Sequence, residues 1–113
     1  MADAQLFKGA LIPIILKLLQ NQDKMYGYEI TRKVKEITSG KMNITEGALY
    51  PALHKLEGEG LLRVTLVMES NRQRKYYSLT PNGKKSLRYK LEDMQAFLEQ
   101  MKQIFNPAIN LAG

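Results

Sequence analysis

The chain has no cysteine and no tryptophan among its 113 residues, and only one histidine, His54. Without cysteine there can be no disulfide framework, thiolate nucleophile or cysteine-ligated zinc, and one imidazole cannot build a multi-histidine metal site. With no paired catalytic groups and no cluster of acids, neither an enzyme nor a cofactor is expected. An apolar run from Ala10 to Leu16 is bracketed by Lys8 and Lys17, far short of a membrane span. The same stretch lacks the basic leader of a secretory signal, so a cytoplasmic protein is expected.

What is present is ordinary globular material, 44% apolar and 25% charged, at a length that suits one domain. A core of this size is modest, and dimerisation would extend it. The net charge of +6 is unevenly placed. Residues 70–90 hold seven basic side chains and no acidic one, so this stretch exceeds the net charge of the whole chain. Such a patch attracts polyanions, although a charge run alone is equally well explained as a solvated face. The surrounding pattern has to decide.

Leu6, Ala10, Leu11, Ile14, Ile15, Leu18 and Leu19 share a helical stripe. Pro13 has no N–H to donate, so the regular helix is expected to begin late, near Lys8 to Ala10. A second helix is expected over Tyr26 to Thr38, ending at Ser39 and Gly40, with Tyr26 and Tyr28 packing its start. A third runs from Thr45, a natural N-cap, to Gly58, with Gly60 to end it and Leu49, Ala52, Leu53 and Leu56 facing inward. Its opposite face carries Gly47, Pro51, His54 and Gly58, flanked by Tyr50 and Lys55 and bordered by Glu46 and Glu57. Small residues there would let the helix backbone approach a surface closely, while Tyr50, His54 and Lys55 could reach phosphates or base edges.

The period then changes to two. Leu62, Val64, Leu66 and Met68 alternate with Arg63, Thr65, Val67 and Glu69, Ser70 to Arg74 read as a basic loop, and Lys75 to Leu79 alternate again. A hairpin tipped by Asn71, Arg72, Gln73 and Arg74 is expected, with Tyr77 and Leu79 inward and Tyr76 outward. Thr80 and Pro81 begin a last helix to about Phe105, stopped by Asn106 and Pro107. Along it Leu87, Leu91, Met94, Leu98, Met101 and Phe105 alternate in spacings of four and three, a seam that implies a partner helix.

Three helices, a basic hairpin and a seam-bearing helix make a mainly α (α+β) fold, a winged helix-turn-helix with a C-terminal dimerisation helix. Residues 1–80 would form the winged-helix DNA-binding part, 81–106 the dimerisation helix of the same protomer, and 107–113 a tail. The DNA-contacting candidates are Thr45, Glu46, Gly47, Tyr50, Pro51, His54, Lys55, Arg72, Arg74, Lys75 and Tyr76. In helix-turn-helix readers the second helix of the motif enters the major groove, and a dimer presents two such helices about 34 Å apart. A protein-interaction adaptor that has lost DNA binding is the alternative, because fold alone does not fix function.

The tract ITEGALYPALHKLEGEGLL, the earlier MYGYEI and the later RQRKYYSLTPNG resemble, in that order, the PadR family of bacterial transcriptional regulators. The resemblance spans about Leu6 to Lys85, and the last helix suits the short branch of that family, in which one C-terminal helix dimerises. It implies a homodimeric repressor that binds an imperfect palindrome and is released by a small molecule or stress signal. It places the recognition helix at Thr45 to Gly58 and the wing at Leu62 to Leu79, with Arg74 to Tyr77 as its RKYY element. Some short members carry a tryptophan on the C-terminal helix to stack aromatic drugs; Met94 stands at the corresponding position here. Met94, Phe97 and Met101 could still line an adaptable apolar pocket for a small aromatic effector at the dimer centre.

Overall fold

The computed structural model describes residues 8–106, so Leu6 of the first stripe and the expected tail at 107–113 lie outside the described residues. The elements in order are α1 (Leu11–Asn21), β1 (Met25–Tyr26), α2 (Gly27–Ile37), α3 (Glu46–Gly58), β2 (Leu62–Glu69), β3 (Arg72–Leu79) and α4 (Pro81–Phe105). The strands form one antiparallel sheet in the order β1-β3-β2.

Local chemistry accounts for the boundaries. Pro13 is the third residue of α1, where its missing N–H has no intrahelical acceptor to serve; the first helical bond runs from the Ile14 N–H to the Ala10 carbonyl at 3.0 Å. The Thr45 hydroxyl accepts from the Ala48 N–H at 3.2 Å and caps α3. That helix closes in a Schellman motif: the Leu61 N–H reaches the Leu56 carbonyl at 2.9 Å and the Gly60 N–H reaches Glu57 at 3.0 Å. Gly60 takes the left-handed turn at φ +75°. Thr80 caps α4 by accepting from the Gly83 N–H at 3.0 Å, and its hydroxyl donates to the Gly60 carbonyl at 2.6 Å, so the end of α3 and the start of α4 are tied together.

The core lies where α1, α2 and α3 meet the base of the sheet. Ile15, Leu16, Ile30, Leu49, Leu53, Leu56 and Tyr77 are fully or almost fully buried there, and Met25 joins them from β1. Leu87 of α4 is also sealed in this core, at 1% exposure, and Leu91 packs against its margin. The seam is therefore split: its first residue belongs to the protomer's own interior and is not free for a partner. Beyond it Phe97, Leu98, Ile104 and Phe105 stand exposed, while Met94 and Met101 are half-buried.

The hairpin differs from expectation in three respects. Its turn is the two-residue Ser70-Asn71, with φ +49° and +64°, so Arg72, Gln73 and Arg74 lie in β3 and not in a loop. Two positive φ values in succession are what a type I′ turn requires, and this turn matches the right-handed twist of the strands it joins. Leu66 and Met68 are 55% and 67% exposed, because the hairpin outruns the core; they pair across with Lys75 and Gln73. Tyr76, expected to point out into solvent, does lie on the face opposite Tyr77 but is only 9% exposed. The short strand β1 explains this: Tyr26 pairs with Tyr76, and its ring meets Tyr76 edge-on at 5.4 Å.

In α2 the packing expected of Tyr28 is not found, since it is largely exposed; its ring instead lies 5.7 Å from the Arg32 guanidinium.

Candidate nucleic-acid interface

Four groups of residues converge on one concavity of about 600 Å³. Tyr50 and His54 come from α3, Arg72 to Lys75 and Tyr77 from β3, Tyr26 from β1, and Gly27 and Tyr28 from the start of α2. The hollow thus lies between the outward face of α3 and the wing. Five of the residues singled out in the sequence, Tyr50, His54, Arg72, Arg74 and Lys75, line it together. Thr45, Glu46, Gly47, Pro51 and Lys55 do not line the hollow, but all are exposed on α3.

Close packing at the base sets the angle between α2 and α3. The ring of Tyr50 lies over Gly27, where a Cβ would come within 2.5 Å of the phenol oxygen. Gly27 therefore lets α2 begin directly beneath the recognition-helix candidate, with the phenol of Tyr50 as the spacer between them. The backbone N–H of Tyr26 donates to Glu29 Oε1 at 3.1 Å, a capping contact at the first turn of α2. Outward on α3, nothing lies within 4 Å of the Cβ positions of Gly47 and Gly58, leaving the helix backbone open to a large ligand.

The outer face of the wing is internally wired. The Tyr76 hydroxyl donates to Glu69 Oε1 at 2.6 Å, and the other oxygen of that carboxylate sits 3.6 Å from Arg74 Nη1. The Arg74 guanidinium is 4.4 Å from the centre of the Tyr26 ring, and Lys24 Nζ is 4.9 Å from that of Tyr76. Arg74 is thus held between a ring and a carboxylate, and Tyr76, a contact candidate in the sequence, is engaged in holding it. No ion pair is formed by Arg72 or Lys75 among the described residues. The sequence puts Tyr26, Gly27 and Tyr28, all in the MYGYEI tract, at the start of α2 with a tyrosine hydroxyl free to touch a phosphate, but gives no sign that Lys24 and Tyr26 meet the wing.

The Tyr76 phenol is pushed above its ordinary value of about 10, first by the hydrogen bond to Glu69 and then by burial; Tyr77 is pushed up chiefly by burial. A raised phenol favours the protonated, folded form, so this contribution is whole below pH 10 and is lost as pH rises through the folded-state value. Alkaline titration followed at 295 nm should show late-ionising phenols, and Tyr76→Phe should remove one of them. A variant with an unchanged late phase would place the raised group elsewhere.

A second, apolar groove of about 290 Å³ runs between α1, α2 and α4, bordered by Pro13, Ile14, Val34, Ile37, Leu91 and Met94. Met94 and Phe97 also border a further hollow of about 530 Å³ with Ile12, Pro13 and Lys90. Met101, the third residue of the expected effector pocket, lines neither. No group of three or more metal-ligating side chains exists among the described residues, and no described helix is long and apolar enough to cross a membrane.

Comparison with known proteins gives this geometry a family. Residues 15–89 match the Transcriptional regulator PadR-like family. The chain belongs to that family. It is similar to the transcriptional regulator Rv3488 of Mycobacterium tuberculosis, at 32% identity over 79 residues that cover 70% of this chain and 71% of the relative. Among solved structures, a transcriptional regulator from Clostridium thermocellum superposes with a TM-score of 0.83 at 29% identity, covering 91% of this chain and 97% of its own. A PadR-like transcription factor from Bacteroides fragilis gives 0.72 at 31% identity, covering 89% and 95%. This PadR-like chain is therefore a winged-helix transcriptional regulator, not an enzyme, and its wing is the β2-β3 hairpin.

Proposed function

We propose that this regulator is a homodimeric repressor that binds a palindromic operator, with α3 in the major groove and the wing against the adjacent backbone. The observation that carries the reading is the shared hollow: α3 side chains and three wing cations border the same space, on a helix whose Gly47 and Gly58 leave the backbone open. The distal part of α4, where Leu98 and Phe105 are exposed and Met94 and Met101 half-buried, would join two protomers. Repression and release by a signal rest on the family resemblance.

Sheared genomic DNA from the source organism, captured at about 150 mM salt and sequenced, tests the reading directly, because purely electrostatic retention is weakened there. A twofold palindrome is the expected product. Retention without sequence preference, or no retention, would favour the adaptor alternative.

Arg72 and Arg74 are expected to behave differently. Among the described residues Arg72 has no carboxylate partner, so Arg72→Ala should weaken binding on every sequence and lower the salt slope by about two per dimer, one phosphate contact per protomer. Arg74 is shared with Glu69, and its removal should alter the slope less. Equal slopes for both variants and the parent would remove the wing from the interface. A small aromatic effector has its nearest provision at Met94 and Phe97; saturable quenching of an aromatic dye, abolished by Met94→Glu, is the expected result. Absence of any dye binding would remove the effector.

A further inference from the structure

We propose that the backbone carbonyl of Gly47 reads a base, selecting an exocyclic amino group in the major groove, and that Pro51 frees it for this role. The inference rests on α3 being the helix that enters DNA.

In an α-helix the carbonyl of residue i accepts from the N–H of residue i+4. Pro51 stands four residues after Gly47 inside α3 and has no N–H. The proline ring also occupies the space where that donor would sit, which pushes the carbonyl off the helix axis. Both residues are exposed on the outward face, so an oxygen displaced in this way would tilt toward solvent. The cap residue's carbonyl is satisfied: Thr45 O accepts from the Leu49 N–H at 2.9 Å and the Ala48 N–H at 3.1 Å. Gly47 has no side chain to screen its backbone, and nothing lies within 4 Å of its Cβ position. It is the second residue of α3, in the part of a recognition helix that touches base edges.

In free protein an exposed Gly47 oxygen without its helical donor would take water as its partner. Docking into the groove removes that water, and the acceptor then needs a donor. Adenine N6 and cytosine N4 offer N–H groups in the major groove, whereas guanine O6 and thymine O4 offer acceptors. A keto oxygen opposite Gly47 would leave two acceptors facing each other, and an unsatisfied acceptor is costly. Selection therefore comes from rejection of the wrong base as much as from the bond to the right one. Lys55 on the same helix is a donor only, so it cannot perform this reading. Glu46 borders the face and is an alternative acceptor, which the test must separate.

The test compares the parent protein with Pro51→Ala on operator duplexes in which one adenine is replaced by purine, or one cytosine by pyrimidin-2-one. Each replacement deletes only the exocyclic amino group. The parent should show one position per half-site where the deletion weakens binding about tenfold, the effect of a single satisfied acceptor. Pro51→Ala restores the helical N–H to Gly47 and leaves Glu46 in place. It should melt at higher temperature and lose that sensitivity, with a ratio near one. Equal sensitivity in both proteins would assign the reading to Glu46 or another side chain and overturn the proposal. So would the absence of any amino-dependent position in the parent, whatever the variant does. A parent that binds DNA with no sequence preference at all would instead refute the function on which the inference rests.

Discussion

Leu98→Glu should yield a folded protomer that no longer dimerises and binds its operator at least about a hundredfold more weakly. The change is tolerable within the protomer because Leu98 is 53% exposed and lies beyond the part of α4 that the core holds. Its effect falls between protomers. A carboxylate at the centre of an apolar helix pair loses its water without gaining a partner, and the interface opens. Two linked half-site contacts benefit from a high effective concentration, and that advantage of 10²–10⁴ vanishes when the link is cut. Sedimentation at micromolar concentration, with circular dichroism as the check on folding, measures the first effect, and operator titration measures the second. A Leu98→Glu dimer with parental affinity would exclude this stretch of α4 as the interface.

Splitting the α4 seam shows where sequence patterning reaches its end. Spacings of four and three identify a continuous apolar stripe, yet the stripe is the same whether its partner is the protomer's own α1 or another subunit. Leu87 proves to be core and Leu98 surface, although both belong to the same 4-3 stripe. The same ambiguity governs the hairpin. Alternation puts Leu62, Val64, Leu66 and Met68 on one face, but only the length of the neighbouring helices determines that the face is covered near Leu62 and bare at Met68.

Signals that act over a few residues were legible. Thr45 and Thr80 cap their helices, Gly60 turns the chain, and the outward face of α3 carries the expected glycines, proline and histidine. What could not be read was contact between distant segments. A strand of two residues has no period to detect, so β1 was missed. With it went the burial of Tyr76 under Tyr26 and Lys24, and the arrangement that holds Arg74. Close approaches are equally silent: nothing in the local sequence says that Gly27 lies against Tyr50.

Gly83 is the most demanding of these approaches, and Gly83→Ala should destabilise the fold by about 1–3 kcal/mol, a large share of the 5–15 typical of a domain. Helix propensity alone predicts the opposite, because alanine is favoured over glycine by about 1 kcal/mol within a helix. Gly83 is buried in the first turn of α4, and a Cβ there would be driven into the Leu61 carbonyl oxygen, with Leu79 Cδ2 also only 3.1 Å away. The obstacle is backbone that cannot rotate aside. That carbonyl already accepts from the Thr80 N–H at 3.1 Å, and the Leu61 N–H closes the end of α3. Relief would require α4 to lift from the junction that orients it against both α3 and the wing. Under the proposed dimer, operator affinity should fall together with stability, because this junction would set the direction in which α4 carries the second reading head. Gly47→Ala supplies the contrast: its Cβ meets open space, so propensity should prevail and stability should hold or rise. Urea melts at one protein concentration compare the two. A Gly83→Ala midpoint at or above the parent's would mean that the junction yields by a small shift and does not fix the direction of α4.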